Sequence, residues 1–143
     1  MSDPVDVVIV SHNSEHVMDP LLDSLPAAFG PVRYRTVVVD NGSTDNTRQV
    51  VARRGEVLLV RSSNVGYAAG INRGVRELRG SGPILVLNPD VRLRPRSAQT
   101  LVESLVDSKA GVVGPRIEDA DGSLVLSMRR EPTLRRALGV GRG

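Results

Sequence analysis

Asp90 follows the apolar run Ile84-Leu85-Val86-Leu87 and the pair Asn88-Pro89, and leads into Arg92, Arg94 and Arg96. A carboxylate so placed either forms a turn with Pro89 or serves as a ligand for something positive. Three other apolar runs also end in polar clusters: Ser11-His12-Asn13, Asp40-Asn41-Gly42-Ser43 and Asn64-Val65-Gly66. Each has a plain reading. Ser11, Asn13, Ser43 and Thr44 suit helix caps, and His12 suits a loop ring lying over a sheet edge. Taken together, the clusters supply hydroxyls, amides, an imidazole and two carboxylates, the functional groups that grip a polar ligand.

The runs 5–10, 34–40, 56–61 and 83–88 read as strands. Segments of helical period separate them. One follows Ser14 as N-cap with Pro20 as a kink point, one covers 44–55 and stops at Gly55, one covers 65–80, and one lies at 95–108. In the last, Leu101 and Leu105, and Val102 and Val106, stand four apart. The stretch 116–128 reads as a hairpin around Asp121-Gly122. This alternation predicts an α/β fold, a doubly wound, mostly parallel sheet with helices on both faces. Ligands of such sheets bind beyond the carboxyl ends of the strands, and all four polar clusters fall there. Gly66, Gly70 and Gly74 form a small-residue stripe that serves either close helix packing or close approach of a ligand, packing being the commoner use.

The chain has 143 residues, one domain's worth. Its apolar 40% is mostly Val, Leu, Ala and Ile, which suits strands covered on both faces. No cysteine is present, which excludes disulfides and thiolate metal sites. The net charge of +3 is compatible with an anionic substrate, and only Phe29, Tyr34 and Tyr67 are aromatic. Nucleic acid is therefore not the expected partner. A signal peptide and an apolar stretch of about 20 residues are both lacking, so the expectation is a cytoplasmic protein. Residues 1–130 read as the folded domain. Residues 131–143, with Arg135 and Arg136, read as a basic tail expected to fray. Neither G-x-G-x-x-G nor G-x-x-x-x-G-K-[ST] occurs. Without a glycine cradle, diphosphate charge calls for a divalent cation held by one carboxylate and the phosphate oxygens. Asp90 is placed for that role.

The segments VVIVSHNS, VVVDNGSTDNT, NVGYAAGINRG and ILVLNPDVRL, in this order, resemble the family 2 glycosyltransferases, nearest to the bacterial rhamnosyltransferase-like branch. The resemblance runs from about residue 5 to about residue 130 and implies the GT-A fold. It also implies inverting transfer of a sugar from a nucleotide-diphospho-sugar, with Mg²⁺ or Mn²⁺, to a saccharide or glycolipid acceptor. Carried over by position, Ser11 and His12, with Asn13, meet the base and ribose; the family usually has Tyr where His12 stands. Asp40, beside Asn41, matches a carboxylate that accepts from a pyrimidine N3–H, which favours a UDP- or dTDP-linked donor. Asn64, Gly66, Gly70 and Asn72 match the segment along the donor's diphosphate and sugar. Asn88 and Asp90 match the ends of the family's D-x-D signature, Asp90 being the metal-bridging carboxylate.

The chain also departs from that pattern. Family members run well past 200 residues, and their second half carries the acceptor site and the acid that deprotonates the acceptor. After Asp90 the acids are Glu103, Asp107, Glu118, Asp119, Asp121 and Glu131, and none has the setting of that base. The expectation is thus a donor-binding half with the C-terminal part of the fold missing. The competing reading is a non-catalytic nucleotide-sugar-binding or assembly module. An unfinished sheet edge would be covered by a partner or in a homodimer, and the acceptor would bring the protein to the inner face of the membrane.

Overall fold

All seven residues of β1 (Val5–Ser11) are buried. A strand with branched aliphatics on both faces needs cover on both sides, so β1 belongs inside a parallel sheet. The computed structural model describes residues 3–125. In it β1 pairs in parallel with β2 (Tyr34–Asn41) and with β4 (Ile84–Leu87), and β2 pairs in parallel with β3 (Val57–Ser62). The strand order is β3-β2-β1-β4, the doubly wound arrangement predicted from the sequence. Chain order reverses between β1 and β4, which makes their carboxyl ends the place for a ligand.

Alternate residues of β1 feed two cores. Val5, Val7 and Ile9 pack with α1 (Glu15–Phe29), α2 (Thr47–Ala52) and α4 (Ser97–Asp107) through Met18, Leu21, Leu25, Val51 and Ala98. Val8 packs on the other face with Val37, Val39, Val60 and Leu78 of α3 (Tyr67–Leu78). The first helix continues past Pro20 and Pro26 to Phe29. Five buried residues after Pro20 (Leu21, Leu22, Leu25, Ala28 and Phe29) bind it to the sheet, and this packing outweighs the lost backbone bonds.

Helix α3 lies close to the sheet because its inner stripe is glycine. A Cβ on Gly70 would stand 2.8 Å from Val10 Cγ1, and one on Gly74 would stand 2.7 Å from Val8 Cγ1. The stripe read two ways in the sequence is thus occupied at Gly70 and Gly74 by packing. Helix α3 covers β1 and β2, and on the same face of β4 Ile84 and Val86 remain 50% and 40% exposed.

This compact unit extends to Gly111, and a second begins at Val112. In the second, Glu118 bridges Leu124 in antiparallel fashion and Val125 N–H donates to Ile117 O at 2.9 Å. Gly122 turns the chain at φ 85°, in keeping with the hairpin expected around Asp121-Gly122. Residues 126–128 of that hairpin, Arg129, Arg130, Glu131, Arg135, Arg136 and the expected boundary at 130/131 lie outside the described residues.

Replacing Gly74 with Ala should lower stability by about 1–2 kcal/mol, overpacking being partly offset by the better helix propensity of Ala. Urea denaturation measures this; a midpoint equal to or above that of the parent protein would contradict the close approach.

Candidate functional site

Two loops at the carboxyl rim are clasped by reciprocal hydrogen bonds. The Asn13 N–H donates to Ser43 Oγ at 3.0 Å, and Asn13 Oδ1 accepts from the Thr44 N–H at 2.8 Å. The Ser14 N–H donates to Thr47 Oγ1 at 2.8 Å, and the Glu15 N–H to Asp45 Oδ2 at 3.1 Å. In return, Glu15 Oε2 accepts from the Asn46 N–H at 2.7 Å. The first turns of α1 and α2 therefore cap each other. Ser14 holds the N-cap position without a side-chain cap bond, because its hydroxyl donates to His12 O instead. The same clasp delays α2 to Thr47, later than the sequence pattern suggested. Burial opposes ionisation of Asp45, but hydrogen bonds from Thr47 and Glu15 prevail and hold its carboxyl below the ordinary aspartate value.

Asp40 lies beneath this clasp with its side chain fully buried. Arg48 Nε donates to its Oδ2 at 2.5 Å, and the Ser43 N–H to its Oδ1 at 3.3 Å. Both oxygens are thus engaged within the protein. Its register neighbour on β1, Ser11, is 1% exposed, and the Ser11 hydroxyl has no hydrogen-bond partner among the described residues. The sequence reading puts Ser11 at the base and ribose and Asp40 at the base; in this structure both side chains are buried. Asn13, assigned there too, has its amide oxygen in the clasp.

Along the rim His12, Asn64, Asn88 and Asp90 are exposed, while Asn41 between His12 and Asn64 is buried. His12 Nδ1 lies 3.1 Å from Asn41 O. A carbonyl only accepts, so this nitrogen carries the proton. Asn41, on β2, ties the β3–α3 loop down: its Nδ2 donates to Asn64 Oδ1 at 3.1 Å and its Oδ1 accepts from the Val65 N–H at 3.0 Å. Next comes Gly66 at φ 86°, where a Cβ would meet nothing within 4 Å, so bare backbone faces open space. Tyr67 then starts α3, and its hydroxyl donates to Asn88 Oδ1 at 2.8 Å. Burial, and after it the charge of Asp90, push the Tyr67 phenol above its ordinary value. Asp90 is exposed and makes no hydrogen bond or ion pair among the described residues.

The structure therefore brings His12, Asn41, Asn64, Gly66, Asn88 and Asp90 into one band across β1, β2, α3 and β4. Gly70 lies inside the fold against Val10, and Asn72 is exposed on α3 more than a turn past Tyr67, with no bond to the band. Sequence reasoning counted Tyr67 among the aromatics without giving it a role. Its place straight after Gly66, at a helix start on the ligand-binding rim, was the available signal.

Among the described residues no group of three or more His, Asp or Glu side chains could by itself hold a metal ion. On the rim, Asp90 offers a carboxylate with no hydrogen bond or ion pair among the described residues. It fits a Mg²⁺ or Mn²⁺ whose remaining ligands are water and phosphate oxygens. Concavities of about 410 Å³ beside Glu15, His16 and Gln49 and about 540 Å³ beside Pro4, Arg33 and Tyr34 lie off this band.

The sheet and its helices have the GT-A glycosyltransferase fold, as superposition on solved structures shows. The mannosyltransferase PcManGT of Pyrobaculum calidifontis, solved in complex with GDP-Man and Mn²⁺, superposes with a TM-score of 0.67 at 23% identity, over 83% of this chain and 36% of its own. S. aureus TarS 1-349 in complex with UDP-GlcNAc gives a TM-score of 0.60 at 23% identity, over 73% and 31%. The chain belongs to glycosyl transferase family 2, whose sequence model matches residues 6–140. The N-acetylglucosaminyl-diphospho-decaprenol L-rhamnosyltransferase of Mycobacterium tuberculosis is 34% identical over 148 residues, 94% of this chain and 48% of the relative. The chain spans about half the length of the curated relatives it matches. Among the described residues no helix is long and apolar enough to cross a membrane.

Arg48→Met should destabilise the protein by about 2–4 kcal/mol, because Asp40 is then buried without its counter-charge; chemical denaturation reads the loss. Asp45 supplies a second test. Its lowered pKa means its stabilising contribution is complete above the ordinary aspartate value of 3.8 and disappears as pH falls through the lowered one. Asp45→Asn should accordingly flatten the acid limb of stability against pH below about pH 5, and an unchanged limb would refute the clasp.

Proposed function

We propose that this chain is the donor-binding part of an inverting glycosyltransferase, taking a UDP- or dTDP-linked sugar with Mg²⁺ or Mn²⁺ at the carboxyl rim. The observation that carries the proposal is the position of Asp90. It is an exposed carboxylate with no partner among the described residues, at the mouth of β4 beside the point where strand order reverses. The printed ligands of the two structural neighbours, GDP-Man with Mn²⁺ and UDP-GlcNAc, support the ligand class.

His12 and Asn64 meet the nucleoside, each held by Asn41, and Asp40 accepts from the pyrimidine N3–H, the contact that favours a UDP- or dTDP-linked donor. Bare backbone at Gly66 and the side chain of Asn88 meet the diphosphate. Asp90 would hold the divalent ion, whose chemistry there would be to offset the charge of the diphosphate leaving group. We assign donor binding to these residues; removal of the acceptor's proton is not assigned to any of them. The acceptor in this reading is a saccharide or glycolipid. The relative named for a decaprenol-linked substrate supports a lipid-linked one, which would place the protein at the membrane surface.

Titration calorimetry with UDP, dTDP and GDP tests the proposal. UDP or dTDP should bind more tightly with Mn²⁺ than without it, and Asp90→Ala should remove most of that gain, about tenfold or more in affinity. Binding that ignores both the metal and the substitution would make Asp90 a turn residue only.

A further inference from the structure

The hydrogen bond between Tyr67 and Asn88 joins residues 21 apart in sequence, from the first residue of α3 to the exit of β4. Both are exposed, so burial does not force the contact. A hydroxyl donor satisfies one lone pair of the Asn88 oxygen, and the Asn88 amide makes no other hydrogen bond among the described residues. Only the oxygen of an amide ligates a hard cation, while its nitrogen serves as a hydrogen-bond donor.

We infer that Tyr67 is a positioning residue: it engages the amide oxygen of Asn88 and leaves the Nδ2–H group to donate to the donor's diphosphate. Asn88 is then an anion-recognising group beside the metal, and Asp90 is the sole side-chain metal ligand of the pair. Neutral amide donors bind phosphate oxygens without repelling their charge, as a second carboxylate would. Tyr67 itself stays clear of the reacting atoms and acts through the orientation of Asn88. The inference rests on the donor-binding proposal above and adds a division of labour within it.

Two affinities separate the roles, that of UDP at saturating Mn²⁺ and that of Mn²⁺ for the UDP-saturated protein. In Tyr67→Phe, which keeps the ring, UDP should bind about three- to tenfold more weakly, the effect of one hydrogen bond. Mn²⁺ affinity should stay within about twofold, since Asn88 is no ligand. In an Asn88→Ala background, Tyr67→Phe should have no further effect, because its partner is already gone. A matching loss of Mn²⁺ affinity would make Asn88 an oxygen ligand and overturn the inference. Unchanged UDP affinity in Tyr67→Phe, or a persisting effect in the Asn88→Ala background, would overturn it as well. If the parent protein binds no nucleotide at all, the donor-binding proposal fails and this inference with it; failure of the Tyr67 arms alone leaves that proposal standing.

Discussion

The rim owes its shape to how close α3 lies to β1. With no side chain at Gly70 or Gly74, the helix settles against Val10 and Val8, and its first residues come down level with the ends of the strands. Any larger residue there would lift Gly66 and Tyr67 away from Asn41 and Asn88. The hydrogen bonds that span the rim are therefore a consequence of backbone packing several residues away. Asn41 completes the arrangement by holding the β3–α3 loop through Asn64 and the Val65 N–H.

Charge is distributed in two layers at this end of the sheet. In the lower layer Asp40 is neutralised by Arg48, and the interlocked loops around Asp45 and Thr47 use up their own polar groups. In the upper layer Asp90 has no ion pair among the described residues, and Asn88 and Tyr67 stand near it. A buried carboxylate must be paired where it stands. An exposed one stays hydrated at little cost and can exchange water for a cation. That difference separates the two carboxylates: Asp40 is buried and paired, and Asp90 is open to solvent.

The sheet was legible in the sequence because its signal is local. Four branched aliphatic runs, each ending in polar residues, fix both the parallel arrangement and the rim. The four motifs carried the family for the same reason, since each is a contiguous segment. The partners of the rim residues were less accessible. Nothing in the spacing says that Arg48 of α2 turns back onto Asp40, that Asn13 spends its amide oxygen on Thr44, or that Tyr67 reaches Asn88. Those pairings depend on how loops from different strands settle together. The glycine stripe shows the same limit: its two readings were equally compatible with the spacing, and only Val8 and Val10 on the facing strand decide between them at Gly70 and Gly74.

The chain has no tryptophan and two tyrosines, and they occupy opposite settings. Tyr34 is stacked on Phe29, centroid to centroid at 4.2 Å, within the packing of α1 and β2. Tyr67 is half-exposed beside Asp90. Intrinsic phenol emission from this protein is thus a two-channel optical gauge, one ring reporting on core integrity and the other on events at the strand termini. Silencing either ring by a Phe replacement would isolate the remaining channel without any attached dye.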